Sequence, residues 1–467
     1  MFLSEVNNAN NVALIESNGN VVTYSHLYKC ILEFSSFFTG RHLIFIIGET
    51  ELAVIVSYLS SVESNIVPLL LSPKINNKLL TNLVNIYKPK YIFKKESKPH
   101  KGFQVVSTYK GYSFFISIKC EEIKLHNDLA LLLTTSGSTG SPKLVRLTKK
   151  NLISNAKSIC SFLKITPNDR AISSLPFNYS YGLSVINSHL SCGASIVLSN
   201  ASMMERDFWN LINRHLVTSI AGVPYNYEMI LRLGIEKLGL TSVKKMTQAG
   251  GRLDPKKIDM INQSLSLKKI KFYIMYGQTE ATARIAYLPP EDINRKLGSI
   301  GKSIPGGKLW IEDTNGNIID KNNVIGELVY SGENVSMGYA KSLKDMELGY
   351  SNSGALKTGD LARLDNEGYF FIEGSTNRFV KLFGNRISLD SVEKIVLDNG
   401  FENVVTGNAK KIDIYVIDNQ NLSLEMLGAK ISEIIGINKI AINVNTINEF
   451  PRLNNGKIDY NLLENSQ

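Results

Sequence analysis

Short apolar runs alternate with segments of helical periodicity in the first part of the chain. Residues 21–24 precede a predicted helix near 25–38, and the apolar run 43–47 precedes a predicted helix near 51–61. The run 91–93 is a further strand candidate. Strands that alternate with helices are typical of a parallel α/β sheet with helices on both faces.

The alternation continues in the middle of the chain and changes near residue 374. Buried strands are predicted at 171–175, 194–199, 217–223 and 271–277. After residue 374 the pattern predicts two helices and two strands, at 389–399 and 423–435 for the helices and at 412–418 and 440–445 for the strands.

These patterns predict an α/β fold class with two domains of unequal size. We expect a large N-terminal domain of layered, mixed α/β subdomains over residues 1–373 and a small C-terminal α+β domain over 379–467, with residues 374–378 between them.

A loop rich in hydroxyls and glycines follows the apolar residues 131–133. Of the ten residues 134–143, eight are Thr, Ser or Gly, and the last is Lys143. Backbone amides, hydroxyls and one ammonium suit phosphate oxygens, so we predict a phosphate loop between a strand and a helix that Thr148 or Asn151 caps. The spacing is not that of a Walker loop. The alternative is a flexible Ser/Gly linker, which rarely lies directly between a strand and a helix.

Composition and charge restrict the class of protein. The chain has 467 residues, 43% of them apolar, and a net charge of +10. Its lysines are scattered, so we expect a basic surface and an anionic nucleotide ligand, with no nucleic-acid partner. The most apolar stretch, 43–59, contains Glu49 and Glu51, which argues against a membrane span.

The cysteines and the N-terminus bear on where the protein works. The four cysteines lie far apart in sequence and have no metal-ligand spacing, which predicts unpaired, reduced thiols and a cytoplasmic protein. The first residues show no basic and apolar segments typical of a signal peptide.

Several segments resemble, in chain order, the signatures of the adenylate-forming (AMP-binding) superfamily, which includes acyl-CoA synthetases, nonribosomal-peptide adenylation domains and luciferases. TSGSTGSPK in the loop resembles its phosphate loop. The others are LPFNYSYGL at 175–183, AGVPYNYEM at 221–229, QAGGRL at 248–253, MYGQTEAT at 275–282, GELVYSGENVSMGY at 326–339, TGDLARLDNEGYFFIEG at 358–374 and PRLNNGKIDY at 451–460.

The resemblance implies ATP-dependent activation of a carboxylate and assigns roles to residues that match its motifs. It implies Glu280 as the magnesium ligand, Thr279 at the α-phosphate, and Lys457 and Lys381 as the cations of the first and second half-reactions. The implied nucleotide contacts are Thr135, Ser136, Gly137, Ser138, Thr139, Gly140, Lys143, Gly250, Gly251, Tyr276, Gly277, Gln278 and Asp360.

The resemblance also implies that the small C-terminal domain is mobile about a hinge at 374–378. Two departures from the family patterns affect this hinge and the acid pocket. Ser375 and Asn377 replace the usual Arg and Asp of the hinge, and Arg378 is the candidate to reach the ribose instead. The pocket segment has Asn178 or Tyr179 where α-amino-acid enzymes carry an Asp, so an acid without an α-ammonium is favoured. Pocket-lining candidates, for which core packing is an equal alternative, are Tyr179, Tyr181, Gly222, Tyr225 and Gln248.

The sequence leaves open which thiol accepts the acyl group and whether the protein catalyses the reaction at all. After adenylation, the resemblance implies transfer to coenzyme A or to the phosphopantetheine of a separate carrier protein. One alternative is a stand-alone enzyme that activates amino acids. Another is a nucleotide-binding protein that has lost its catalytic activity, and the altered hinge is the reason to consider it.

Overall fold

The strands and helices are taken from a computed structural model that describes residues 9–119, 123–134, 143–351, 354–383, 385–417, 424–453 and 456–464. The strands are β1 Val12–Ile15, β2 Val21–Thr23, β3 Leu43–Ile47, β4 Val67–Leu71, β5 Tyr91–Lys94, β6 Phe103–Tyr109, β7 Tyr112–Ser117, β8 Leu129–Thr134, β9 Leu144–Thr148, β10 Arg170–Ile172, β11 Ser195–Val197, β12 Ser219–Gly222, β13 Lys245–Gln248, β14 Lys271–Tyr276, β15 Ala286–Leu288, β16 Lys302–Ser303, β17 Lys308–Glu312, β18 Gly326–Ser331, β19 Gly338–Ala340, β20 Ala355–Leu364, β21 Phe370–Ser375, β22 Phe379–Leu382, β23 Asn385–Ser388, β24 Asn403–Gly407, β25 Ile412–Ile417 and β26 Ile442–Ile447. The helices are α1 Tyr24–Ser35, α2 Leu52–Glu63, α3 Asn77–Tyr87, α4 Lys149–Leu163, α5 Ser180–Ser191, α6 Arg206–Arg214, α7 Pro224–Leu233, α8 Pro255–Leu267, α9 Leu389–Asp398, α10 Leu424–Ile435 and α11 Tyr460–Glu464.

Two large mixed sheets form the first compact unit, which spans Met1–Lys308 and Ser331–Leu356. One sheet has the order β16-β15-β14-β13-β12-β10-β11-β1-β2, and the other has the order β19-β9-β8-β4-β3-β5-β7-β6. Their central strands are parallel and their outer strands are antiparallel. One continuous apolar core joins the facing sides of both sheets through α1, α2, α4 and α5. The predicted layered, mixed α/β architecture is confirmed.

Three smaller sheets form the second unit, which spans Leu309–Tyr330 and Lys357–Gln467. They have the orders β17-β18-β20-β21, β22-β23 and β24-β25-β26. The last of these sheets packs against α9 and α10 around Val392, Val405 and Ile431. The proposed domain limits at 373 and 379 stay a prediction.

The loop at 134–143 connects elements that differ from those predicted. It runs from β8 to β9, which pair as antiparallel neighbours, and helix α4 starts only after β9. The prediction that the loop leads directly into a helix was therefore wrong, because the mainly apolar residues 144–148, with Arg146 among them, form a strand. Thr148 does cap α4: its side chain accepts from the Asn151 amide, as predicted.

The cysteines also differ in part from the prediction. Cys160 in α4 and Cys192 just after α5 form a disulfide, so the prediction of unpaired thiols was wrong for this pair. The two helices pack side by side, which brings together residues that are 32 positions apart in sequence. Cys30 is a buried free cysteine, and Cys120 lies outside the described residues.

No helix in the described part of the chain is long and apolar enough to cross a membrane. Within the same ranges, no cluster of three or more His, Cys, Asp and Glu side chains has the arrangement of a metal site.

A buried histidine in α5 makes the stability of the large unit depend on pH. His189 is 2% exposed, and its Nδ1 lies 2.9 Å from the Val185 carbonyl oxygen. Burial lowers the pKa of His189 to about 4. Because this folded-state pKa lies below the unfolded value of about 6.5, the folded state binds fewer protons between these pH values.

We therefore expect the free energy of unfolding to fall by about 2 kcal/mol between about pH 7.5 and about pH 5 through this group alone. Urea unfolding of the wild type and of His189→Gln at both pH values measures the effect. The glutamine variant should lose less stability on acidification than the wild type. An equal loss in both proteins would contradict the assignment.

Candidate functional site

The segment 276–280 follows the end of β14, where the chain leaves the parallel part of its sheet. A one-turn 3-10 helix at Thr279–Ala281 reverses the chain toward β15. Gly277 is required by packing, because a Cβ atom there would lie 1.8 Å from the Ala283 carbonyl oxygen. The turn therefore presents Thr279 and Glu280 at the carboxyl edge of the sheet, where α/β proteins bind ligands.

Glu280 belongs to a cluster of three side chains, the half-buried Lys143 and Glu280 and the exposed Tyr339, which we call the Glu280 cluster. The Tyr339 hydroxyl donates to Glu280 Oε1 over 2.7 Å. The Lys143 ammonium lies 3.4 Å from the centre of the Tyr339 ring. Burial and the neighbouring Glu280 charge raise the pKa of Tyr339, which keeps its hydroxyl a donor at neutral pH.

Backbone contacts fix the strand that carries Tyr339. The buried Arg146 guanidinium donates to the carbonyl oxygens of Met337, at 3.1 Å, and Gly349, at 3.0 Å. The Ser336 amide donates to the Glu280 carbonyl oxygen over 2.8 Å. Hydrogen bonds to main-chain atoms thus hold both the segment that carries Tyr339 and the turn that carries Glu280.

Thr279 lies against the start of helix α5. Its hydroxyl is 3.2 Å from the Ser180 hydroxyl, and Ser180 is the first residue of that helix. The turn after β14 and the amino end of α5 therefore come together at one point, which suits an anionic group.

The predicted adenine and acid residues surround the ends of β12 and β13. Gly250 has φ +87°, and a Cβ atom there would lie 2.4 Å from the Tyr179 hydroxyl. Gln248 is buried and donates to the Gly251 carbonyl oxygen over 2.9 Å, so its amide supports the Gly-Gly turn. Tyr181 is also buried, and its hydroxyl bonds to Thr247.

The other residues of this group stay close to the same strand ends. Gly222 ends β12, and a Cβ atom there would lie 2.9 Å from the Tyr227 ring. Tyr225 is half-buried in the first turn of α7, and Tyr276 and Gln278 are half-buried beside Gly277. Their contacts to a ligand stay predictions. The phosphate-loop candidates Thr135, Ser136, Gly137, Ser138, Thr139 and Gly140 lie outside the described residues.

In the second unit, Asp360 is half-buried in β20 and pairs with Ser375 of β21. The Ser375 hydroxyl donates to the Gly359 carbonyl oxygen over 3.0 Å, and the Ser375 amide donates to Asp390. Ser375, which replaces the usual hinge arginine, is therefore held by strand pairing and by a hydrogen bond to the Asp390 side chain.

Arg378 is engaged by other side chains of the same unit. Its guanidinium donates to Asp390 and, over 2.9 and 2.8 Å, to Glu393, and it stacks on Tyr460 at 4.3 Å. Burial opposes its charge, but the two carboxylates outweigh burial and raise the pKa of Arg378. The ribose contact stays a prediction, and the structure gives this side chain a packing role in the unit.

Replacement of Arg378 by alanine is expected to destabilise the protein by about 3 kcal/mol, because two half-buried carboxylates lose their counter-charge. The control is Arg363→Ala, which removes one carboxylate pair, to Glu373, at a more exposed side chain. It should cost about 1 kcal/mol or less. Thermal unfolding of both variants decides. Equal destabilisation would contradict the network.

The two catalytic lysine candidates lie at different places in the second unit. Lys381 is exposed on β22, opposite Arg386. Lys457 is half-buried in a turn that the Leu453 amide closes by donating to the Lys457 carbonyl oxygen over 2.8 Å. Gly456 has φ +80° in this turn.

Tyr339 and Arg284 lie near these groups, and the sequence alone predicted no role for either of them. Tyr339 ends the GEL-to-GY segment, so its motif was visible, but its contact with Glu280 was not. Arg284 follows the YGQTE segment by four residues and is 3% exposed, with its guanidinium 3.9 Å from the Tyr181 ring. In the sequence, this charged residue stands directly before the apolar residues that lead into β15, and that position could have indicated a role for it.

Comparisons with known proteins agree with the motifs. The family model "AMP-binding enzyme" matches residues 4–340. The chain is 24% identical to luciferin 4-monooxygenase of Photuris pensylvanica over 78% of this chain and 69% of the luciferase. It is 31% identical to 2-succinylbenzoate–CoA ligase of Bacillus subtilis over 58% of this chain. It spans 54% of that ligase, about half of its length.

Solved structures show the same fold. O-succinylbenzoate coenzyme A synthetase (MenE) of Bacillus subtilis, in complex with ATP and magnesium, matches with a TM-score of 0.77 over 97% of both chains at 24% identity. ATP-bound MatB of Rhodopseudomonas palustris matches with a TM-score of 0.79 over 100% of this chain and 97% of MatB at 19% identity. With the family model covering most of its length, the chain belongs to the AMP-binding enzyme family.

Proposed function

We propose that this protein is an AMP-forming acid–thiol ligase that converts a carboxylic acid into its coenzyme A thioester. The observation that carries the proposal is the position of Thr279 and the Glu280 cluster at the carboxyl edge of β14, within a family of AMP-binding enzymes. Relatives named as CoA ligases support it. Structural neighbours solved in complex with ATP, one of them also with magnesium, support ATP as the co-substrate.

In the first half-reaction a carboxylate oxygen attacks the α-phosphorus of ATP, and the bond to the pyrophosphate oxygen breaks. Negative charge must be neutralised while the groups are held in line. We assign this work to the Thr279 hydroxyl and the Lys457 ammonium. The Ser180 hydroxyl, 3.2 Å from that of Thr279, helps to orient it.

Glu280 is suited to hold magnesium. One of its oxygens accepts from Tyr339, and its carboxylate is half-buried beside the strand edge. Magnesium prefers oxygen ligands and often takes only one or two carboxylates with phosphates and water, so a single carboxylate fits. When bound, it neutralises phosphate charge.

The nucleotide contacts are assigned residue by residue. We propose that Tyr276, Gly250 and Gly251 contact adenine and that Asp360 accepts from the ribose hydroxyls. Lys143 supplies a positive charge next to the predicted phosphate loop. Tyr339 positions both Lys143 and Glu280, because it contacts each of them.

In the second half-reaction a thiol attacks the acyl carbon, the bond to the AMP oxygen breaks, and the thiol proton is lost. We propose Lys381 as the cation of this step and coenzyme A as the acceptor. A separate phosphopantetheinyl carrier protein is the other outcome of the test. An α-amino acid is disfavoured, because none of the pocket candidates supplies a carboxylate to pair with an ammonium group.

Acid-dependent exchange of labelled pyrophosphate into ATP tests the proposal on the full chain, with short, long, aromatic and amino acids. Exchange with a carboxylic acid and formation of its CoA thioester are the expected results. Exchange without thioester formation from coenzyme A would point to a carrier protein. ATP binding without exchange for any acid would overturn the proposal in favour of a binding protein.

A further inference from the structure

Arg284 is a buried cation with poor acceptors. Its Nε lies 3.3 Å from the Met275 sulfur, and Nη1 lies 3.4 Å from the Ala283 carbonyl oxygen. Its guanidinium carbon is 3.9 Å from the centre of the Tyr181 ring. A thioether and one long carbonyl contact do not replace the water that burial removes from a guanidinium.

No carboxylate among the described residues pairs with Arg284. The side chains that interact with it are Tyr179 and Tyr181, and burial raises the pKa of both phenols, so they carry no charge at neutral pH. Two other arginines differ. Arg378 has two carboxylates, and Arg146 donates to three carbonyl oxygens. A buried charge without a partner is costly unless a ligand provides the opposite charge.

The position of Arg284 is fixed by its own backbone. Its carbonyl oxygen accepts from the Asn334 side-chain amide over 2.8 Å and from that of Asn155 over 3.2 Å. Both asparagines are buried. The backbone that carries the guanidinium is therefore fixed, and the Met275 and Tyr181 contacts give the guanidinium its orientation.

The surroundings of Arg284 place it on the acid side of the site. Tyr179 and Tyr181, which it faces, are the pocket candidates of α5. Its Nε contact to Met275 lies inside β14, before the turn that carries Thr279. The activated carboxylate belongs next to that turn, so Arg284 faces a different part of the acid.

We propose that Arg284 binds a second carboxylate of the acid substrate, so that the enzyme activates a dicarboxylic acid at one end and recognises it by the other. This rests on the proposed function. A guanidinium pairs with a carboxylate through two parallel hydrogen bonds, and this pair supplies the counter-charge that the protein lacks.

The test compares matched acids in pyrophosphate exchange with the full chain. Malonate, succinate, glutarate, adipate and phthalate are each compared with their monoamides, in which one charge is lost at nearly equal size. The wild type should prefer at least one diacid to its monoamide by about 100-fold or more in kcat/KM. Arg284→Met should reduce this ratio by about 100-fold, and Arg284→Lys should restore part of it.

Three results would overturn the proposal. One is a wild-type preference for every monoamide over its diacid. Another is exchange with monocarboxylic acids only. A third is an unchanged diacid-to-monoamide ratio in Arg284→Met, which would give Arg284 only a packing role against Tyr181. If this variant does not fold, the wild-type ratio and Arg284→Lys decide. Absence of exchange with every acid would overturn the proposed function itself. This outcome differs from the three results above, in which exchange is still observed.

Discussion

Replacement of Lys457 by alanine is expected to reduce acid-dependent pyrophosphate exchange by roughly 10²- to 10³-fold while ATP binding is retained. The reason is that charge develops between the attacking carboxylate and the α-phosphate, and a nearby ammonium stabilises it most in the transition state. The turn itself should survive, because Leu453 closes it through the Lys457 carbonyl oxygen and Gly456 supplies its positive φ.

The matched control is Lys381→Ala, a second lysine of the same unit on the exposed face of β22. This variant should keep the exchange reaction and lose thioester formation from a supplied acyl-adenylate. Lys457→Ala should show the reverse pattern. Two lysines with opposite effects on two half-reactions separate a role in chemistry from a general loss of positive charge.

Normal exchange in Lys457→Ala would show that the first half-reaction uses another cation. Loss of both half-reactions in either variant would indicate damage to the fold of the second unit. Circular dichroism and ATP binding, measured on both variants, distinguish this damage from a specific effect.

The periodicity of the chain predicted many elements well, and the reason is visible in particular strands. The run 43–47 is fully buried as β3, and 412–418 corresponds to β25. The first is a continuous apolar segment, and the second is apolar except for Asp413; both lie in central parts of a sheet, where nearly every side chain is covered. Such segments need no knowledge of their neighbours to be recognised.

Elements that depend on distant partners were not predictable in this way. Strand β9 contains the charged Arg146, which looks like the start of an amphipathic helix in sequence. In the fold, the carbonyl oxygens of Met337, Leu348 and Gly349 accept hydrogen bonds from the two Nη atoms of this guanidinium inside the protein. The Cys160–Cys192 pair and the Arg284–Tyr181 contact likewise depend on helix packing that no local pattern encodes.

The candidate site shows the same division. Motif order indicated Thr279 and Glu280, and the structure brings both to the edge of β14. The partner of Glu280, Tyr339, lies 59 residues later in the chain. Its contact arises because β19 pairs with β9, a register that only the folded sheet defines.

Replacement of Glu280 by glutamine is expected to reduce exchange by roughly 10²-fold and to raise the magnesium concentration needed for half-maximal exchange by about 10-fold. Glutamine keeps an oxygen that accepts the Tyr339 hydroxyl, so the change removes charge and leaves the shape of the cluster. A magnesium titration of exchange at saturating ATP and acid measures both effects.

Tyr339→Phe is the complementary variant, because it keeps the Glu280 charge and removes only the 2.7 Å hydrogen bond. Its ring still accommodates the Lys143 ammonium. Exchange should fall by about 10-fold, with little change in the magnesium requirement, since the carboxylate is retained and a hydrogen bond to a charged group contributes about 1.5–3 kcal/mol. A larger shift in magnesium requirement for Tyr339→Phe than for Glu280→Gln would contradict Glu280 as the metal ligand. It would then be the tyrosine, and the strand pair that holds it, that controls metal binding at this edge of the sheet.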